Sequence, residues 1–216
     1  MTRLIACAML VPACAGAHAQ APSASEVLAR ARSAYSAGAY AESITVEATD
    51  ALGRTERSTI RIHALPTPTG DGVSQVRFEL GRLRIWSEAG HMIVSAASAG
   101  AAPAPWWDAR AEGADPIEMV ELHVPPVCAP SIEILRGRTG LTPHSAPIVW
   151  NGVVEDPSGS GWLLAGRISD PSSGGGADRA VQATFDRESA RLLRLIVSGS
   201  GASGLVRLVV TATPVD

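Results

Sequence analysis

Lysine is absent from this chain, aromatic residues are few, and no apolar run is long enough to span a membrane. All 18 basic residues are arginine, which has no single physical consequence here and reads as base bias of the genome. No block of like charge occurs, and that argues against nucleic acid as a partner. Cysteine appears three times, at Cys7, Cys14 and Cys128. The first two fall in an N-terminal leader. The exported chain then holds a lone cysteine and no internal disulfide, so its core must stabilise it unaided.

The leader has the usual parts. Arg3 precedes an apolar run from Leu4 to Ala13, and Ala17-His18-Ala19 offers small residues to a signal peptidase. Residues 1–19 therefore read as a secretory signal peptide. Cleavage after Ala19 leaves one domain, residues 20–216, with 17 basic against 21 acidic residues once Arg3 is gone, a net charge of −4. A competing reading takes Val11-Pro12-Ala13-Cys14 as a lipobox with Cys14 acylated. Pro12 is a poor neighbour for that motif, and cleavage after Ala19 is expected.

The remainder is organised around residues 75–97, QVRFELGRLRIWSEAGHMIVSAA. Val76, Phe78 and Leu80 alternate with polar residues, the period of a half-buried strand. The phase flips at Gly81-Arg82, after which Leu83 and Ile85 carry it, and again at Glu88-Ala89-Gly90, after which Met92 and Val94 do. Two flips at glycines predict two tight turns and three consecutive antiparallel strands. Upstream, Ser23-Ala24-Ser25-Glu26 has the spacing of a capping box. It predicts a helix over about 25–37, with Gly38 as the left-handed residue that ends it. Ile44, Val46 and Ala48, then Ile60, Ile62 and Ala64, predict a hairpin.

From residue 96 to 147 the strand rhythm stops. A small-residue, proline-bearing stretch reads as a loop ending at Trp106-Trp107, and such a loop suits a lid over an apolar cavity. Asp115-Pro116 and Pro130-Ser131 each open a short helix, the second closed by Gly137. Five further strands follow from Ile148 to Thr211. The fold class expected is mainly β with some α: an antiparallel meander of about ten strands, with helices across one face.

Chemistry is hard to find. No serine has glycine two residues to either side, as a hydrolase elbow needs. His63, His91, His123 and His144 show no metal-ligand spacing, and Cys128 has no cysteine partner, so neither metal nor cofactor is expected. No basic neighbour activates Cys128, which reads as an inert thiol. Glu118 and Glu121 share a helical face without a mechanism, and Asp108 beside Trp107 is a single acid in an aromatic setting. The chain reads as a binding protein, not an enzyme.

Several stretches together resemble one family. These are the opening helix with Ala34-Tyr35 to Tyr40-Ala41-Glu42, the run VRFELGRLRIWSEAGHMIV, and PIEMVELHVPPVCAPSIEILRG with its proline pair. The closing segments TFDRESARLLRLIV and LVVTATPVD complete the set. The whole exported chain is similar to the LolA/LolB-like group of periplasmic proteins, which includes lipoprotein carriers and the regulator RseB. Glu88-Ala89-Gly90 stands where the group has an Asp-Gly turn. The resemblance implies an open half-barrel with an N-terminal helix and short lid helices, in a monomeric periplasmic protein. Its concave apolar face would hold the acyl chains of a lipid or lipoprotein. Phe78, Leu80, Leu83, Ile85, Met92, Val94, Trp106 and Trp107 are the contacts it suggests. The alternative it implies is an RseB-like domain that binds a membrane-associated protein and carries no lipid. Acylation at Cys14 would instead make the protein an outer-membrane lipoprotein.

Overall fold

The structure, a computed structural model, describes residues 21–96, 104–112, 114–121, 129–137, 148–168, 179–199 and 205–215. The leader, with Cys14 and its competing cleavage sites, lies outside them, as does Cys128.

Helix α1 (Ala24–Ser36) starts where expected. Ser23 accepts from the Glu26 backbone amide, while the Glu26 carboxylate reaches back to the Ser23 amide, so both partners of the capping box are present. Its end differs from expectation. Ala37 caps it in the right-handed region, and Gly38 does not take a positive φ. The chain turns at once into β1 (Tyr40–Asp50), and the Tyr35 and Tyr40 rings, 5.0 Å apart, pack across that corner. Ring packing terminates this helix, not a glycine.

β1 is followed by β2 (Thr55–Pro66), β3 (Val73–Leu80), β4 (Leu83–Glu88), β5 (His91–Ala96) and β6 (Ala104–Arg110). Then come α2 (Pro116–Glu121), α3 (Pro130–Leu135), β7 (Val149–Glu155), β8 (Gly161–Ile168), β9 (Arg179–Asp186), β10 (Leu192–Ser198) and β11 (Leu205–Pro214). The three central strands form with the expected turns. Gly81 sits at φ 57° in the first turn, and Ala89 and Gly90 sit at 46° and 76° in the second.

The described residues hold eleven strands, where about ten are expected. The additional one is β6, where a loop was expected. It pairs antiparallel with β5 at the edge of the sheet, with a register shift between Val94 and Ser95. Its sequence carries no period because an edge strand with Pro105 draws its definition from the neighbour it pairs with. Trp106 and Trp107 are therefore strand residues and not the tip of a lid loop.

All strands form one antiparallel sheet, ordered β6-β5-β4-β3-β2-β1-β11-β10-β9-β8-β7. Two meanders, β1 to β6 and β7 to β11, meet where β1 pairs with β11. The two edges, β6 and β7, do not pair with each other, so the barrel stays open. They are consecutive strands in the chain, and the connection between them must travel from one edge to the other. It carries α2 and α3 with it, and these two with α1 cover one face. α2 packs on β3, β4 and β5, while α1 packs on α3 and reaches β7. The architecture is the open, helix-covered half-barrel that the sequence resemblance implies.

Candidate functional site

Cross-strand partners lie on the same face of a sheet, so the register defines the inner face row by row. One row runs Glu42, Ile62, Phe78, Ile85, Val94, Trp107, and its neighbour runs Tyr40, Ala64, Val76, Ser87, Met92. In the other half Val210, Leu195, Ala183 and Leu164 continue it. From above, the helices contribute Val27, Ala31 and Tyr35 of α1, Ile117 and Val120 of α2, and Ile132 and Leu135 of α3. All of these are buried in one core with the strand residues.

The expected contact residues divide accordingly. Phe78, Ile85, Met92 and Val94 are at most 3% exposed, beneath the helices. Leu83 is half-buried, and Leu80, beside the Gly81 turn, is 38% exposed. Trp107 stands opposite Val94 on the inner face of the edge strand and is 42% exposed. Trp106 belongs to β6, and its side chain lies outside the described set. In this state the face is filled by protein. The space left under α1 and α3, lined by Leu28, Ile134, Trp150, Phe185 and Leu195 among others, is about 30 Å³, the share of a single water in the liquid.

Polar groups beneath the helices are the feature that sequence reasoning missed. Glu42 is 4% exposed on β1 and accepts a hydrogen bond from the Ser131 hydroxyl of α3, which is itself fully buried. No ion pair reaches Glu42 among the described residues. Burial pushes its carboxyl up to about 7, against smaller opposing effects of the Ser131 hydrogen bond and the Arg191 charge. The Tyr40 hydroxyl, also buried, has only the Ser131 hydroxyl beside it, at a geometry short of an ordinary hydrogen bond, and the buried Ser87 hydroxyl has no partner among the described residues. Tyr35 accepts from the Leu192 amide at 3.2 Å, and the Arg191 guanidinium lies 5.8 and 6.0 Å from the Tyr35 and Tyr40 rings.

The signal for Glu42 was in the strand period. Ile44 and Val46 fix which phase of β1 is apolar, and two residues back that phase falls on Glu42. Ser87 follows Ile85 in the same way.

A second cluster ties the two short helices together. Arg136, just past α3 with its side chain 8% exposed, lies 3.2 Å from Asp115, 3.8 Å from Glu118 and 4.0 Å from Glu133. Asp115 also caps α2, accepting from the Ile117 amide at 2.7 Å. On the outer face Asp108 pairs with His91 at 2.8 Å and is half exposed. No group of three or more His, Cys, Asp or Glu side chains converges on a metal position among the described residues.

No protein-family model matches the sequence, and no curated protein does. Solved structures do match. The LolA superfamily protein NE2245 from Nitrosomonas europaea is 8% identical over 89% of this chain and 92% of its own, with a TM-score of 0.37. LprF from Mycobacterium bovis is 12% identical over 87% of this chain and 90% of its own, with a TM-score of 0.43. The MucA/MucB complex of Pseudomonas aeruginosa matches at 13% identity over 87% of this chain and 56% of that one, with a TM-score of 0.39. The strand order and the helices between β6 and β7, independently of these likenesses, make this an open antiparallel half-barrel.

Proposed function

We propose that this chain is an exported binding module whose inner face takes the acyl chains of a lipid or lipoprotein when the short helices lift from it. One observation carries the reading: the apolar face is covered by two six-residue helices and one of thirteen, not by a second sheet. Helices of this length hold their shape only while docked, so the cover is removable.

Magnitudes make the exchange reversible. A long acyl chain contributes about 0.8 kcal/mol per buried CH₂, roughly ten kcal/mol in all before ordering costs. Lifting α2 and α3 exposes Ile117, Val120, Ile132 and Leu135, each costing about 1.5–3 kcal/mol. The two sums are similar, as loading and release of a cargo require. The pocket under α1 and α3 is far too small for an acyl chain, so a ligand there binds only by displacing protein.

Native mass spectrometry of protein purified from its host tests this. The expected result is a bound acyl-chain mass, lost on delipidation and regained with a fluorescent fatty acid. A protein that neither carries nor takes up acyl chains sinks the reading. The unpaired backbone along β6 and β7 favours one second reading, a regulatory domain that pairs with a polypeptide strand. A lipid-free protein that retains a stoichiometric polypeptide would support it.

A further inference from the structure

The buried carboxyl beneath α3 has no role in holding an acyl chain, yet it occupies the contact that closes the inner face. We propose that Glu42, buried beneath Ser131 of α3, makes docking of that helix proton-dependent: the neutral carboxyl tolerates burial under α3, and its ionisation favours release of the helix and opening of that face. The inference concerns the closing of the face and holds whatever occupies it.

Geometry supports it from each side of Glu42. From α3 comes Ser131, fully buried and donating to the carboxyl, a bond that by itself favours the ionised form and is outweighed by the burial that the docked helix imposes. α1 contributes Tyr35, and β1 itself contributes Tyr40, whose hydroxyl lies beside that of Ser131. The flanking strands present Ile62 and Pro214, which carry no charge. Arg191, ahead of β10, is the one cation among the described residues that acts on Glu42, and it makes no ion pair with it. The charges of α3 and its C-cap are engaged elsewhere, Arg136 reaching to Glu133 and to Asp115 and Glu118 of the α2 end. An ionised Glu42 is therefore poorly compensated while α3 is docked, and is solvated once α3 leaves.

The helix is short. It has six residues, and Ala129 at its N-cap offers no side-chain hydrogen bond.

The size of the effect follows from linkage. A carboxyl at about 7 in the docked state and 4.5 when solvated shifts the docking equilibrium by up to roughly 300-fold. Docking is strongest below pH 4.5, weakens as pH rises, and levels off above 7.

Hydrogen exchange of the full unliganded protein between pH 5 and 8.5, corrected for intrinsic rates, reads this directly. Protection of residues 129–137 is expected to fall by roughly 70-fold, the share of that limit that lies between pH 5 and 8.5, while β1, β2, β9 and β10 keep theirs. Glu42→Gln should make α3 protection independent of pH. The proposal is overturned if wild-type α3 protection is flat, if the strands lose protection with it, or if the Gln variant behaves like wild type. Should that variant not fold, carboxyl carbon NMR of the wild type decides. Titration of Glu42 near 7 together with loss of α3 protection upholds the proposal, and titration near 4.5 overturns it. Because no lipid is present, the outcome is separate from that of the acyl-binding test.

Discussion

At the scale of single residues, two positions run against local preference and are held there by their surroundings. Ala89 lies at φ 46° in the turn between β4 and β5, followed by Gly90 at 76°. A two-residue hairpin loop with positive φ at both positions favours Asn-Gly or Asp-Gly, and an alanine there stores on the order of 1 kcal/mol of strain. Ala89→Asn should raise stability by about 0.5–1 kcal/mol, read as a shift in denaturation midpoint without change in slope; an unchanged or lower midpoint would refute this. Glu42 is the other position. Strand period assigns it to the inner face, and the neighbours Ile44 and Ile62 keep the register from slipping to expose it, because a slip of one residue would turn the whole apolar row outward.

Among the secondary elements, the short helices depend on charge as well as on apolar contact. Arg136 joins the N-terminal end of α2 to α3 through Asp115, Glu118 and Glu133, with two of the four side chains almost fully buried. Removing one member of a buried charged cluster costs more than the cluster contributes, since the remaining charges stay desolvated. Arg136→Ala should destabilise the protein by on the order of 3 kcal/mol and make the α2–α3 region the first site of limited proteolysis. A change within about 0.5 kcal/mol, the range of ordinary surface substitutions, would show that the cluster does not hold the cover. The exposed pairs, such as Arg57 with Glu47 at 3.6 Å, deserve no such expectation, because solvent and side-chain entropy offset them. β6 teaches a related lesson: its existence depends on β5, and no property of its own sequence announces it.

For the whole molecule, two sets of carboxyls pull stability in opposite directions with pH. Glu26, Asp50, Asp71 and Asp186 are each held below the ordinary carboxylate range. The largest cause is a backbone hydrogen bond at Ser23, Arg54 and Ser189 for Glu26, Asp50 and Asp186, and a Thr69 side-chain hydrogen bond for Asp71. Their contribution is present above the ordinary carboxyl range and is lost as pH falls below it. Glu42 does the reverse. Its folded state binds the proton more tightly than the unfolded one, so its contribution is complete below 4.5 and is lost as pH rises through about 7. The loss is at most about 3 kcal/mol. Thermal stability should therefore peak at mildly acid pH, around pH 5, with Glu42→Gln removing the decline on the alkaline side only. A melting temperature that climbs steadily from pH 5 to 8 would contradict this.

Local rules were sufficient for much of the molecule. The capping box at Ser23, the period-2 runs, the two turns in residues 75–97 and the proline-led starts of α2 and α3 are all short-range. Each depends on side-chain spacing, backbone φ or a hydrogen bond within a few residues, so the sequence by itself determined an antiparallel β protein with one opening helix and two short ones. Tertiary structure decided the rest. Strand β6 exists through pairing across the register shift at Val94, and α1 ends on ring packing between Tyr35 and Tyr40. The open edges at β6 and β7 send the connecting chain across the inner face. For that reason residues such as Phe78 and Met92, legible as apolar, are covered by α2 instead of lining an empty groove. The same crossing places Ser131 over Glu42, residues separated by 89 positions. No periodicity connects them, because that contact is set by the path of the chain over the sheet.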